Sequence, residues 1–528
     1  MKTVLSRLSI AGMLIVLFVS AGTAGAADRP VDILGEYFDL LISGNIESAH
    51  YLWSGPSLER ASRFGIEYTD IPLKNDCNSP IIRDLKLYRN HLQPVAKRII
   101  SLGDPAYQLL LYSSIVEGEL VEHNYFLNFD GQYWWLCYPQ DYYCRDWPIR
   151  ESRYLRVHVD PTAERYLNPV CLEATDSFIE QTARLLKLSK DQLKLLTDEK
   201  IDYFYCGSDS TIEQITGHLV KGVFDLPSND LISSFFPHYH ELIHFLVNLK
   251  LQKLPLYTQP LMREGIAVTL GGRWGKTPTS LIDLGGFLYR EKIVDLDSLL
   301  AMSLFEPHSG ADIAYPVAGL FCAYLLERMD QERFFEVYLK LSGDFKTVYG
   351  QTTQVVKQIL IEATEDENWE EFLEGFDKFI DEVMDDRLMI RPGRLAKGKE
   401  LIKGDSYIVR ENKHWLGFEF SFEPEQEISG NLMFGFDKRL AAVSSVLFGE
   451  QYGVTTNVDG YRFGVRFDRN EVGLYDYATS HLMAKYIWGI TPSGDYFDED
   501  NNRITLMLHK DLLKDHLPEK NDVKYLAK

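Results

Sequence analysis

Two histidines four residues apart enclose a glutamate in the run His240-Glu241-Leu242-Ile243-His244. Residues i and i+4 share one face of an α-helix, so this spacing lets two imidazoles reach one cation, provided the stretch is helical. Pro237 supplies a start, because the first turn of a helix does not use the missing N–H. Two imidazoles make half of a tetrahedral zinc site, and a catalytic zinc takes three protein ligands and leaves one position open. The third ligand is expected at Glu264, in Arg263-Glu264-Gly265-Ile266-Ala267, on a second short helix whose Gly265 permits close helix approach. Glu241, beside the first histidine, is placed to hold the activated water and take its proton as general base. The bland alternative is a buried helix whose histidines only bond neighbours, since Leu242, Ile243, Phe245, Leu246, Val247 and Leu249 surround them.

At these residues the chain resembles the gluzincin zinc metallopeptidases, in particular bacterial families in which His-Glu-x-x-His is followed by Glu-Gly-x-Ala. The resemblance implies His240, His244 and Glu264 as ligands of one Zn2+ per chain, Glu241 as base, and a peptide or protein as substrate. It also implies a thermolysin-like domain of mixed sheet plus helices. A metzincin reading fails, because the positions that need Gly and His hold Val247 and Lys250. The likeness extends over residues 150 to 390, through a strand at Lys200–Tyr205, the segments 210–217 and 222–234, and a helix opening at Ala314. Several gluzincins place a tyrosine or histidine after the third ligand to meet the oxyanion. Tyr315 is the first candidate for that role and His308 the second. His238 points elsewhere on the helix and is not expected as a ligand.

The 528 residues suggest a multidomain α+β protein. Residues 1–26 carry Lys2 and Arg7, an apolar run from Ile10 to Val19 and Ala24-Gly25-Ala26, the pattern of a secretory signal peptide, and so predict a periplasmic or secreted protein. No later run reaches the length of a membrane span, so no stable membrane insertion is expected once the signal is cleaved. Residues 27–150 read as an α+β domain similar to the NTF2-like fold. Ile33, Tyr37, Leu40 and Leu41 form a helix face, and Tyr125, Leu127 and Phe129 alternate before the turn at Asp130-Gly131. Residues 151–390 are the metallopeptidase region, with helices expected at Leu172–Leu188, Tyr315–Met329, Gln331–Leu341, Thr353–Glu362 and Trp369–Met384. The acidic residues of the last of these make a solvated face. Residues 391–400, around Pro392-Gly393, read as a linker.

From 401 to 528 the apolar period becomes two, as in Leu416, Phe418, Phe420 and Phe422, which predicts a β-sandwich. That region weakly resembles carbohydrate-binding modules of the CBM9-like kind. Tyr475, Tyr477 and Trp488 are the residues that would stack on a glycan, with core packing the other reading. The alternative function is therefore a noncatalytic envelope protein that binds a ligand through its outer domains.

The formal charge of −22 becomes −24 when Lys2 and Arg7 leave with the leader, which argues against nucleic acid and anionic membranes as partners. Six cysteines lie beyond the leader. In an oxidising compartment Cys137 and Cys144, flanking a short polar loop, are the expected disulfide pair, with Cys171–Cys206 a weaker second.

Overall fold

The computed structural model describes residues 29–83, 85, 96–116, 119–309, 311–386, 389–423, 428–440, 460–468, 471–487, 497–498, 502–513, 516–519 and 522–527. The expected leader, residues 1–26, and Trp488 lie outside the described residues. The chain is a multidomain α+β protein built as two compact units. Residues up to Ser54 together with Leu85–Tyr138 form one, and Gly55–Asp84 with Pro139–Lys528 form the other. No helix among the described residues is long and apolar enough to cross a membrane.

In the smaller unit, helix Pro30–Ser43 turns its Leu34, Tyr37, Phe38 and Leu41 inward and stops at Gly44, which takes the left-handed φ of +80° that glycine adopts without strain. Its Tyr37 and Phe38 rings meet Tyr125 edge-on at 6.0 and 5.7 Å. Tyr125 belongs to an antiparallel sheet of four strands in chain order, Ala96–Ser101, Tyr107–Val116, Glu119–Phe129 and Trp134–Cys137.

The larger unit begins earlier than the sequence suggested. Gly55–Asp84, expected inside a 27–150 domain, instead carries Phe64, Ile66, Tyr68 and Cys77 into the core that surrounds the His240 helix. The physical reason is apolar burial: hiding Phe64 or Ile66 there is worth about 1.5–3 kcal/mol each relative to exposure. Phe64 packs edge-on against Phe245 at 4.8 Å. Glu67–Tyr68 pairs in parallel with Lys253–Leu254, and the Asn248 amide donates to the Tyr68 hydroxyl at 3.2 Å.

A five-stranded mixed sheet forms the floor of this unit. Its spatial order is Ile149–Glu151, Leu155–Val159, Ile201–Tyr205, Asp230–Ser233 and Gly222–Asp225. The central three strands are parallel and the two edges antiparallel. Ile201–Tyr205 is buried along its whole length, as a strand covered on both faces requires. Helix Tyr239–Leu251 packs on the sheet's edge strand Gly222–Asp225, and Pro260–Gly271 packs on that helix and on Pro278–Arg290 and Ala311–Arg328. The last, with Gln331–Lys340, Thr353–Thr364 and Trp369–Asp386, falls within a few residues of the expected boundaries. Trp369–Asp386 buries Phe372, Phe376, Phe379, Ile380 and Val383, so its acidic residues occupy the other face.

The expected linker at 391–400 is partly regular structure. Ile390–Pro392 pairs with Arg503–His509, and Leu395 is buried. Beyond it, one antiparallel sheet contains Lys399–Lys403, Tyr407–Glu411, Trp415–Ser421 and Arg503–His509. A second runs His481–Ile487, Glu471–Asp476, Tyr461–Phe467, Gly430–Phe436 and Val523–Ala527. Phe418, Phe420 and Leu506 of the first share a core with Leu432, Phe463, Val465 and Leu474 of the second. Leu416, Phe418 and Phe420 of the first sheet and Leu432 and Phe434 of the second meet between the layers, since every second side chain along a strand faces the same way.

Tyr475 and Tyr477 are buried beside Val170 and Leu482, so neither offers a ring to a sugar. All six cysteines are buried, the expected Cys137–Cys144 and Cys171–Cys206 pairs among them. Cys137 sits opposite Phe126 in the sheet of the smaller unit, while Cys144 packs with Phe204, Cys206 and Ile212 in the larger. Apolar surroundings push the Cys144 and Cys206 thiols well above their ordinary pKa.

Candidate metal centre

The run from His240 to His244 lies in a helix buried on nearly every side, with Leu242, Ile243, Phe245, Leu246, Val247 and Leu249 all packed. Such a helix is fixed by its neighbours and has little freedom to slide. The helix carrying Glu264, Pro260–Gly271, starts with proline at its first position and crosses two others closely. A Cβ on Gly265 would come within 2.4 Å of the Cys322 Sγ, and one on Gly271 within 2.7 Å of the Tyr239 carbonyl. Glycine at these two points lets Glu264 descend to the level of the histidines.

Three side chains meet there. His240 Nε2 lies 3.0 Å from Glu264 Oε2, His244 Nε2 lies 3.2 Å from His240 Nε2, and His244 Nε2 lies 3.4 Å from Glu264 Oε2. Donor atoms about 2.0–2.1 Å from a tetrahedral ion are separated by about 3.3 Å, so this triangle has the edge lengths of a zinc donor face. Among the described residues these three form the group of His, Cys, Asp or Glu side chains that could hold a metal ion.

The hydrogen bonding fits a cation. His240 Nδ1 donates to the Gly272 carbonyl at 2.9 Å, which leaves Nε2 of the neutral ring as a lone pair. Burial lowers the pKa of His240 and so favours that neutral form. A proton-free nitrogen then faces a carboxylate oxygen, and two acceptors at 3.0 Å repel unless a cation lies between them. Burial alone would raise the Glu264 carboxyl, but Arg263, whose guanidinium donates to Oε1 at 2.8 Å, outweighs it and holds Glu264 well below the usual carboxylate range.

Glu241 turns toward the sheet. Its Oε2 accepts the Phe224 backbone N–H at 2.9 Å, from the antiparallel edge strand Gly222–Asp225, and its Oε1 is 3.9 Å from His238 Nε2. One carboxylate oxygen is thereby anchored, and its charge acts on His240 from the same helix. His238 is buried and shares a hydrogen bond with Ser233 at 3.1 Å through Nδ1, so it stands outside the triad, as the helical spacing indicated.

Tyr315, in helix Ala311–Arg328, places its ring 6.1 Å from the His240 ring and is 5% exposed. His308 lies in helix Met302–Ser309, and its side chain is outside the described part of the structure. Sequence reasoning missed Arg273, whose guanidinium lies 3.2 Å from the Tyr315 ring centre and 4.4 Å from that of Trp274, with Nη1 3.8 Å from Glu264 Oε2. The Gly271-Gly272 pair that precedes it was the available signal, since paired glycines mark a sharp exit from a helix beside a site.

The second β-layer sheet also reaches this place. Leu482 N–H donates to the Gly275 carbonyl at 2.6 Å, Thr277 N–H to the Leu482 carbonyl at 3.0 Å, and His481 stacks on Tyr239 at 4.8 Å. The loop that orients His240 through Gly272 is therefore braced by residues more than two hundred positions later. Compared with known protein families, with curated proteins and with solved structures, the chain matches none.

Proposed function

We propose that this chain is an exported zinc metallopeptidase of the gluzincin kind, hydrolysing peptide bonds with Glu241 as general base. The observation that carries the reading is the donor triangle of His240, His244 and Glu264, with edges of 3.0, 3.2 and 3.4 Å. A zinc ion held by these residues would act as a Lewis acid, lowering the pKa of water and polarising the scissile carbonyl. Glu241, one oxygen pinned by Phe224, keeps the other for accepting the water proton and passing it to the leaving amine. Tyr315 and His308 are the candidates for donating to the oxyanion. A mixed sheet and two ligand helices support the thermolysin-like assignment of this region, and helices preceding a four-stranded antiparallel sheet support an NTF2-like smaller unit.

The competing reading, a noncatalytic glycan-binding protein, gains nothing from Tyr475 and Tyr477, which are buried. The test is elemental analysis of residues 28–528 beside the His244→Ala variant. The expected result is about one zinc per wild-type chain, lost in the variant. A wild-type chain without metal after zinc reconstitution would remove the hydrolase reading.

A further inference from the structure

Arg273 is a cation held rigidly beside the triad, and its one recorded ion pair among the described residues is the long contact to Glu264 Oε2 at 3.8 Å. It stands at the first position of a tight turn in which Arg273 N–H donates to the Lys276 carbonyl at 3.0 Å and Lys276 N–H returns a bond to Arg273 at 2.8 Å. The two residues between them, Trp274 and Gly275, both have left-handed φ, +51° and +67°. A bulky residue adopts that backbone only where its surroundings enforce it. The enforcement is visible: the Leu482 bond to Gly275 clamps the turn, while the guanidinium carbon sits 3.2 Å from the Tyr315 ring centre and 4.4 Å from that of Trp274.

This cation is not used up within the protein. Its Nη1 is buried without a hydrogen-bond partner among the described residues, and the nearest carboxylate oxygen, Glu264 Oε2 at 3.8 Å, is beyond hydrogen-bond reach. Glu264 already meets Arg263 and His240. About a fifth of the Arg273 side chain, 19%, stays open. Arg263 and Arg273 offset Glu264 and Glu241, so a dication bound to the triad would keep its charge uncompensated. A site of that balance suits a substrate that brings a negative charge.

We propose that Arg273 is a substrate-binding residue that takes a carboxylate next to the scissile bond, so that the preferred substrates are anionic peptides. This rests on the metallopeptidase reading for the chemistry but not for the binding. The carboxylate is an acidic side chain or a chain terminus, and planar guanidinium recognises both in the same way.

The experiment is calorimetric titration of the full chain, zinc-loaded and metal-free, with three tripeptides. They are N-acetyl-Ala-Glu-Ala-amide, its neutral isostere N-acetyl-Ala-Gln-Ala-amide, and N-acetyl-Ala-Gln-Ala with a free terminus. One carboxylate peptide is expected to bind about tenfold more tightly than the neutral one, the scale of one charge-assisted hydrogen bond. Which of the two does so identifies the source. Arg273→Gln should bring that preference to within about twofold, and Arg273→Lys should restore part of it. Equal binding of all three peptides by the wild type, or a preference that survives Arg273→Gln, would overturn the proposal. Zinc content measured on the same samples separates the two ideas: a chain that never holds zinc but still prefers carboxylate keeps this inference and loses the peptidase reading.

Discussion

The larger unit contains two buried polar clusters, and they differ in how donors meet acceptors. In the first, Arg60 bonds Asp141 and Asp230, and Arg63 bonds Asp202 and Asp230. Asp202 also meets His158 Nε2 at 2.8 Å and Arg156 at 3.3 Å, and Asp230 accepts from Gln140 at 3.3 Å. Each carboxylate is met by guanidinium, and Arg63 leaves only Nε without a partner. In the second cluster, around His240, acceptor faces acceptor and Arg273 Nη1 faces nothing that bonds it. The first arrangement is complete in itself and holds Gly55–Asp84 against the sheet. The second is complete only with something added. Polar burial alone does not mark a functional site; buried polar groups that cannot satisfy one another do.

The comparison breaks most visibly at Glu241. Changing Glu241 to Gln keeps the bond from Phe224 through its amide oxygen but removes the base, so peptide hydrolysis should fall by about 10²–10⁴-fold while zinc content stays at the wild-type level. Full activity in this variant would mean that the base is another residue. Next in size is Arg63→Gln. It strips a guanidinium from two buried carboxylates, and loss of a partner from a buried pair costs about 3–5 kcal/mol, read as a lower denaturant midpoint. A cost under about 1 kcal/mol would show that the first cluster is not the clamp described.

How much of this was legible in the sequence follows the same division. Glu264, on another helix, rested on the resemblance, whereas the shared face of His240 and His244 was readable because residues four apart on a helix lie one above the other whatever surrounds them. The alternating strands after 401 were readable for the same reason. The segment from Gly55 to Asp84 was not, because Arg60 and Arg63 look like ordinary solvated cations until Asp202 and Asp230, well over a hundred positions away, are brought beneath them. Strands Ala96–Ser101 and Tyr107–Val116 went unread because a continuous run such as Leu109-Leu110-Leu111 has no period of two. Arg273 was invisible for a third reason, since its role depends on what it fails to touch.

The pH response sharpens the contrast further. Burial would raise the Asp202 carboxyl, but His158 and Arg63 outweigh it and leave its pKa below the ordinary value. A depressed carboxylate binds fewer protons folded than unfolded, so its stabilisation is present above the unfolded pKa of about 4 and is lost as pH falls through the folded value. Asp202→Asn cannot show that loss. The stability gap between wild type and Asp202→Asn should therefore be widest near neutrality and should narrow below about pH 4, by about 1.4 kcal/mol for each unit of depression. A gap independent of pH would mean that Asp202 is held neutral by burial.

The smallest effect is the most discriminating. Arg273→Gln, made in the metal-free protein, removes a guanidinium of the same size as that of Arg63, also beside a carboxylate and also packed on aromatic rings. If buried cations mattered for stability in proportion to their burial, the two variants would suffer alike. The clusters differ instead in what is left behind. Removing Arg63 orphans oxygens of Asp202 and Asp230, whereas removing Arg273 orphans none, because Glu264 keeps Arg263 and lies 3.8 Å from the lost nitrogen. What disappears is the stacking on Tyr315 and Trp274, worth about 0.5–1 kcal/mol at a partly open position. The unfolding midpoint of metal-free Arg273→Gln should therefore stay within about 1 kcal/mol of wild type, and a loss as large as that of Arg63→Gln would make Arg273 a structural clamp rather than a group kept for an incoming anion.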